Sequence, residues 1–495
     1  MSEGGLIRAA AAVCIGTCGL AWSLRAPADT LPGALAQAYV CNPVINAQRA
    51  ALRATDEGVG IALSGYRPTI RGQIQDGWAD QVQTVRAPRA STALERALPP
   101  SLGGPVGGAA TPANATLVDY PTSWANYATQ QYTLAATQTL YNGFQTTNRT
   151  RQAESQVSAG RETLRLTELN LLLQGATVYM DLLRDAATLE LNKSNVVVLQ
   201  EQLRQSRDRF NVGEITKTDV AQAESRLAAG RSQLAAAESQ YITSKARYVQ
   251  IICVQPGKLA PGAPVDNKSP PSLEQAVVVA RQENPNVTAA ALGVDVAALQ
   301  VKINEGALYP TVVATLQAQQ SYSPVPQPNV LRSLTMQAFG TVTVPFYQGG
   351  AEYATIRQSK ETLGQNRINL DNQRDTVQQQ TVQAWGQVQA AKAQILATQA
   401  QVLAAETALN GVREEARVGQ RTTLDVLNAT QELLNARTAL VQAQHDRVVA
   451  SYSVLAAVGR LSAVTLGLPT QIYDPTVHYH QVRDVWIGVR TPDGR

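Results

Sequence analysis

Two of the three histidines, His478 and His480, flank Tyr479 near the end of the chain, a spacing that could offer two imidazoles to one metal ion. No cysteine or carboxylate cluster stands beside them at ligand spacing, so no metal site is expected there. No serine or cysteine nucleophile motif occurs. The glycines of "GGPVGG" (103–108) are followed by neither Lys-Ser/Thr nor a helix start, which leaves a phosphate-cradle reading very weak. The chain is therefore not expected to be an enzyme or to hold a cofactor. Cys41 and Cys253 are the cysteines outside the N-terminal segment. In an oxidising compartment they are either a disulfide or two small buried apolar side chains.

The most informative spacing lies elsewhere and occurs twice. "RFNVGEITKTDV" (209–220) and "EARVGQRTTLDV" (415–426) share Val-Gly, then Thr three residues on, then Asp-Val three further. Gly213 and Gly419 can take the left-handed conformation that ends a helix. Thr216 with Asp219, and Thr422 with Asp425, then sit where the next helix begins and can cap its free amides. No proline occurs between Pro121 and Pro256 or between Pro345 and Pro469, so the flanking helices can be very long. Residues from about 144 to 210 would make one helix of roughly 100 Å. Beyond each turn the apolar spacing is seven: Val220, Leu227, Leu234, Tyr241 and Tyr248, then Val426, Leu433 and Leu440. Ala429, Ala436, Ala443 and Ala450 form a small-residue row beside the second seam. Two coiled-coil hairpins are expected, with tips at 210–218 and 416–424.

The duplication extends further. At an offset of 242, "TLPGALAQAYVCNP" (30–43) lies on "SLEQAVVVARQENP" (272–285), and "YRPTI" (66–70) on "LYPTV" (308–312). At an offset of 206, "LYNG" (140–143) lies on "FYQG" (346–349), and the register continues through both tips. The first copy thus holds 36 additional residues between about 71 and 138. They include a Pro/Gly/Ala/Thr-rich stretch without periodicity, which reads as a long exposed loop. Before each hairpin the pattern changes to period two. Val312, Ala314, Leu316 and Ala318 alternate with Thr and Gln, as do Met336, Ala338, Val342 and Val344. Half-exposed strands with one apolar face are expected. The domain reading is 1–28 signal peptide; 29–253 first repeat, with strands near 66–78 and 127–140 and a hairpin over 144–252; 254–271 linker; 272–460 second repeat, with strands near 310–320 and 333–345 and a hairpin over 350–458; 461–495 tail.

The signal peptide rests on Arg8, an apolar run of roughly 14 residues, too short for the ~20 of a membrane span, and a small-x-small site at Ala26-Pro27-Ala28. The net charge of +4 is spread along the chain, which excludes a nucleic-acid footprint. Four Phe and three Met are a thin supply for a large globular core. Four apolar-faced strands cannot close a membrane barrel alone, and open sheet edges are not tolerated in lipid. An α+β membrane protein follows, in which several chains share one outer-membrane β-barrel continued by a long α-helical tube.

On these residues the chain resembles the TolC-like outer-membrane factors of tripartite efflux pumps and type I secretion systems. The marks are the two Asn-Pro pairs, "YRPT" and "LYPT", "VPFYQGG" (344–350), the paired tip motifs and the tail "YDPTVHYHQVRDVWIGVRTPDG". The resemblance implies a homotrimer in the outer membrane of a Gram-negative bacterium, with a twelve-stranded barrel (four strands per chain) above a twelve-helix periplasmic coiled-coil barrel. It implies an exit duct without chemistry, opened at its periplasmic tip by a periplasmic adaptor and an inner-membrane pump of the RND or ABC type. Carried over position by position, Thr218 and Asp219 match the first half of a gate latch and Arg421 the arginine that reaches it. Asp425 matches an acidic ring at the constriction. Val212-Gly213 and Val418-Gly419 match the tips that meet the adaptor. Two positions depart: Ala416 replaces the gating tyrosine and Asn428 the second ring aspartate, so the latch would rest on Arg421 and the ring would be thinner. Glu214 and Lys217 are candidates for compensating pairs. Plain helix capping is the competing account of Asp219 and Asp425, and a solvated surface charge that of Arg421. The competing functions are a periplasmic adaptor, which would show one hairpin flanked by β-domains, and a coiled-coil structural protein of the envelope, which would not explain the strands.

Overall fold

The computed structural model describes residues 30–84, 87–88, 118–119, 122–322, 332–492 and 494; the expected signal peptide and residues 89–117 of the expected loop lie outside the described residues. Two compact units are present. One comprises residues 61–151 and 299–360, the other residues up to 60, 152–298 and 361–495. Both units draw on both sequence copies, because each copy alternates sheet and helix segments.

The first unit is built on an antiparallel sheet of β1 (Thr69–Thr84), β4 (Thr122–Asn142), β5 (Thr311–Tyr322) and β6 (Arg332–Thr343), in that spatial order. A short pair, β2 (Ala87–Pro88) and β3 (Val118–Asp119), forms a separate ladder. The β1/β4 ladder runs from Thr69↔Thr137 to Thr84↔Thr122. It therefore continues beyond the expected strand end near residue 78, because backbone ladder bonds do not need apolar alternation. The β5/β6 ladder runs from Thr311↔Thr343 to Tyr322↔Arg332. One face carries Ile70, Ile74 and Trp78 on β1 and Met336 on β6. Trp78 is 71% and Met336 75% exposed, so within one chain this apolar face is uncovered.

The second unit is helical. Its elements are α1 (Leu31–Cys41), most of α2 (Pro43–Leu63), α3 (Gln145–Asn211) from residue 152, α4 (Lys217–Ile252), α5 (Leu273–Glu283), α6 (Pro285–Gly306) to residue 298, α7 (Ala351–Arg417) from residue 361, α8 (Thr423–Val458), α9 (Ala463–Leu466) and α10 (Thr476–Val482). Helices α3 and α7 both have 67 residues, and α4 and α8 both have 36. At ~1.5 Å per residue the longer pair would each reach about 100 Å.

The Asn-Pro pairs are corners. Asn42 and Asn284 are extended (φ −64, ψ 127 and φ −66, ψ 127) because the following proline disfavours the helical conformation. Each buried amide then clasps a distant helix end. Asn42 Nδ2 donates to the Ile251 carbonyl at 2.9 Å while its Oδ1 accepts from Val44 N–H at 2.9 Å. Asn284 repeats this with Ala457 at 2.8 Å and Asn286 at 2.9 Å.

Around the first clasp lies the main core, with Leu35 and Tyr39 of α1, Leu172, Tyr179 and Leu182 of α3, Tyr248 and Ile252 of α4 and Leu455 of α8. The segment 254–271 is docked on it: Tyr179 donates its hydroxyl to the Ala260 carbonyl at 2.7 Å, and Asp266 pairs with Arg447. The tail is docked too, through His478 Nδ1 and buried Asp56 at 3.0 Å. Small residues let the long helices approach. A Cβ on Gly230 would meet Leu199 Cδ1 at 2.7 Å, and the equivalent Ala436 is fully buried.

One polar knot lies within this unit. His445 of α8 contacts Asp181 of α3 through Nε2 and its neighbour Asp446 through Nδ1, both at 2.9 Å. Arg184 joins Asp181 at 3.2 Å and Asp185 at 2.8 Å, while Asp185 accepts from Gln240 at 3.3 Å and from Ser244. Burial opposes charge on His445, but the hydrogen bonds to Asp181 and Asp446 outweigh it and raise its pKa above 6.5. Stability from this group is full below 6.5 and is lost as pH rises through the folded value.

Asn284→Ala is expected to lower stability by about 1–3 kcal/mol, read as a drop in apparent melting temperature, because the Ala457 carbonyl and Asn286 amide lose their partner. A wild-type-like melt would show that the clasp is dispensable. A second scan, from about pH 6 to about pH 9, should lower the wild-type melting temperature more than that of His445→Ala, which starts lower.

Candidate functional site

The two hairpin tips are near replicas. Helix α3 ends with the Glu214 amide donating to the Arg209 carbonyl at 2.9 Å around Gly213 at φ 79. Helix α7 ends with the Gln420 amide donating to Glu415 at 2.9 Å around Gly419 at φ 78. Only glycine takes this conformation cheaply, which explains the shared Val-Gly. Each following helix opens with a reciprocal cap. Thr216 donates its amide and hydroxyl to Asp219 Oδ2 at 2.9 and 2.7 Å, and its hydroxyl oxygen accepts from the Asp219 amide at 3.4 Å. Thr422 and Asp425 repeat the arrangement at 2.9, 2.8 and 3.2 Å. The Thr216 hydroxyl and then its amide hold Asp219 below the usual carboxylate range; for Asp425 the Thr422 amide leads and the hydroxyl follows.

Charged groups around the tips pair within their own hairpin. Arg421 Nε donates to Glu415 at 2.9 Å, so within one chain its partner is Glu415 and not Asp219. Arg209 pairs with Glu214 at 2.9 Å, Arg207 with Glu224 at 2.6 Å and Arg417 with Glu414 at 3.1 Å. Thr218 is exposed, and Val212 and Val418 are both 72% exposed, so each tip displays a valine. Ala416 is half-buried beside a groove of about 700 Å³ between α3 and α7, lined also by Val197, Gln205, Arg209, Arg413 and Arg417.

One polar link joins the hairpins near their tips. Arg226 Nη2 of α4 donates to Asn428 Oδ1 of α8 at 2.9 Å. Beside it Leu427, 2% exposed, enters a cluster of Val196, Leu199, Leu203, Ala223 and Leu227 from the first hairpin. Glu415, Arg226 and Leu427 were missed in the sequence, because attention to what the copies share hides residues at which they differ. The mate of Arg226 at the 206-residue offset is Glu432, and that of Leu427 is Ala221.

Cys41 and Cys253 are free thiols in the structure. Cys41 Sγ donates to the Gln37 carbonyl at 2.9 Å and to Ile252 at 3.4 Å; burial, then the Cys253 thiol, pushes it up to about 12. His478 is engaged by Asp56, and the His480 ring lies edge-on to Tyr479. Among the described residues, no group of three or more His, Cys, Asp or Glu side chains is placed to hold a metal ion.

The profile of the outer membrane efflux protein family matches residues 34–252 and 276–460, most of the described chain. The chain belongs to the outer membrane efflux protein family. Over 467 residues it is 40% identical to the outer membrane efflux protein BepC of Brucella suis biovar 1, covering 94% of this chain and 93% of that protein. It is 25% identical over 324 residues to the outer membrane protein TolC of Vibrio cholerae, covering 63% of this chain and 71% of that protein. Its fold is similar to that of the Campylobacter jejuni CmeC outer membrane channel, with a TM-score of 0.71 at 15% identity over 92% of this chain and 89% of that chain. Membership makes the chain a channel of the outer membrane, not an enzyme.

The caps are separable from charge. Asp219→Asn retains an oxygen acceptor and is expected to keep amide-exchange protection at the start of α4, whereas Asp219→Ala should speed exchange several-fold. Wild-type protection should hold down to pH 3.8 and fall below it, because a depressed carboxylate pKa contributes in full only above the unfolded value. Equal exchange in both variants would show that Asp219 does not cap.

Proposed function

We propose that three copies of this chain close one barrel and form the exit duct of a tripartite efflux pump or type I secretion system. The observation that carries this reading is the four-stranded sheet with an uncovered apolar face and two unpaired edges, β1 and β6. In lipid those edge groups need partners, and another copy of the same sheet supplies them. The strand directions alternate, so β6 of one chain meets β1 of the next antiparallel. Two chains would give eight strands, an interior that side chains fill. Three give twelve and leave room for a conduit. Membership of the efflux protein family supports passage outward across the outer membrane of a Gram-negative bacterium.

The two halves are read as copies of one ancestral unit, on the equal helix lengths and the repeated tips and clasps. The barrel is then continued by a periplasmic coiled-coil tube of paired hairpins. Val212, Gly213, Val418 and Gly419 form the surface for a periplasmic adaptor, which brings an inner-membrane pump of the RND or ABC type. Thr218, Asp219 and Arg421 are the latch. Since Arg421 is not on Asp219 within one chain, it serves across to a neighbouring subunit. Asp425 lines the constriction together with Asn428, whose neutral amide leaves the ring less acidic and so less selective for cations than two carboxylates would. Export would bring Cys41 and Cys253, already neighbours, into an oxidising compartment where they can join.

In planar bilayers the wild type should give a small, cation-preferring conductance that rises several-fold in Arg421→Ser. Equal conductances would leave the duct standing and remove Arg421 from the latch. A purified protein that forms no channel would sink the duct itself.

A further inference from the structure

We infer that Cys41 and Cys253 are joined as a disulfide in the exported protein, a covalent fastener for the first Asn-Pro clasp where the second clasp has an ion pair. This rests on the proposed function, which sets the helical unit in the periplasm, an oxidising compartment.

The two thiols meet at the last turn of α4. Cys41 closes α1 one residue before Asn42, whose amide holds the Ile251 carbonyl. Its own Sγ reaches the Ile252 carbonyl at 3.4 Å. Cys253 follows Ile252, and its Sγ lies 3.9 Å from the Ile251 carbonyl. Both sulfurs thus sit around the same helix end, and the nearness of Cys253 adds to burial in raising the Cys41 thiol to about 12. Among the described residues neither has another cysteine to join.

The second copy builds the same corner differently. The mate of Cys253 is Gly459, and both end their helix in the left-handed conformation, at φ 65 and φ 86. Glycine takes that conformation freely, whereas a Cβ crowds it. The mate of Cys41 is Glu283, which accepts from Arg460 Nε and Nη2, both at 2.7 Å. The second clasp is therefore a buried asparagine with a bidentate ion pair beside it. In the first clasp the places of Glu283 and Arg460 hold Cys41 and Val254, which cannot pair by charge. A bond between Cys41 and Cys253 ties the same two helix ends, and it gives the strained cysteine a role that glycine could not fill.

The chemistry is thiol–disulfide exchange. Cys253 is exposed and Cys41 half-buried, so Cys253 gives its proton to solvent and attacks an incoming disulfide, expelling one of its sulfurs. Cys41, deprotonated in turn, attacks the Cys253 sulfur and expels the other. One S–S bond forms as one breaks, and two electrons pass from the cysteines to the incoming disulfide, which leaves as two thiols.

The test is peptide mapping of the full-length protein, alkylated as it is extracted from outer membranes. A cross-linked Cys41–Cys253 peptide, lighter by two hydrogens than the separate pair, is expected. Outer-membrane protein with both thiols alkylated overturns the inference and leaves the duct standing. Protein found only in the cytoplasm, with free thiols, overturns both. Reductant should lower the wild-type melting temperature by roughly 5 °C and leave that of Cys253→Gly, which keeps a residue suited to the turn, unchanged. Combining Cys41→Glu, Cys253→Gly and Val254→Arg copies the second clasp onto the first. That variant should melt above Cys253→Gly and be indifferent to reductant. A disulfide whose reduction leaves melting unchanged, or a triple variant that melts no higher than Cys253→Gly, overturns the fastener.

Discussion

Backbone N–H and C=O groups at the edge of a sheet have nowhere to go in hydrocarbon, and this constraint governs the molecule. Among the described residues the chain makes four membrane-type strands and leaves the outer edges of β1 and β6 without a partner in the sheet. It also exposes the apolar face that includes Ile70, Ile74, Trp78 and Met336. A soluble protein would cover that face with a helix; here no described element does so. Further copies of the same sheet would remove the cost of the open edges. On the proposed trimer, shared closure would explain why a chain of this length devotes so much of itself to helices: each subunit would contribute a small share of the barrel.

The helical unit solves a different difficulty. Long coiled coils hold by local seams, and nothing in a seven-residue repeat says where the helix ends lie relative to other elements. Asn42 and Asn284 supply that information. Each is forced out of helical conformation by its proline, is buried, and spends its amide on a carbonyl at the end of α4 or α8. A buried amide satisfied at both ends is specific in a way that apolar contact is not, because slipping by one residue would orphan it. The His445 knot adds a second fixed register between α3 and α8 within the same unit.

Much of this was legible in the sequence. Hairpin tips and strand pairs were visible because each depends on local chemistry: glycine for left-handed backbone, threonine and aspartate for a cap, period two for a half-exposed strand. The extent of β1 and β4 was not, since the ladder continues where alternation fades. The clasp partners Ile251 and Ala457 were not, since a backbone carbonyl leaves no mark on residue type. The pairing of Arg421 with Glu415 was missed for another reason. Position-by-position transfer from a family points to the contact made in an assembly, whereas a single chain satisfies its charges with the nearest opposite charge, six residues away.

The tips show how the gate proposed above could be built from modest parts. Each hairpin end is largely complete in itself: backbone carbonyls are capped at glycine, amides are capped by threonine and aspartate, and Arg207, Arg209, Arg417 and Arg421 have carboxylates on their own hairpin. The caps of each tip are satisfied within their own hairpin, so they hold no group that a neighbouring tip must satisfy. What resists opening is then only what crosses a junction. Inside the chain that includes a leucine whose burial is worth about 1.5–3 kcal/mol. A partner can shift such an equilibrium only by binding the open state more tightly than the closed one.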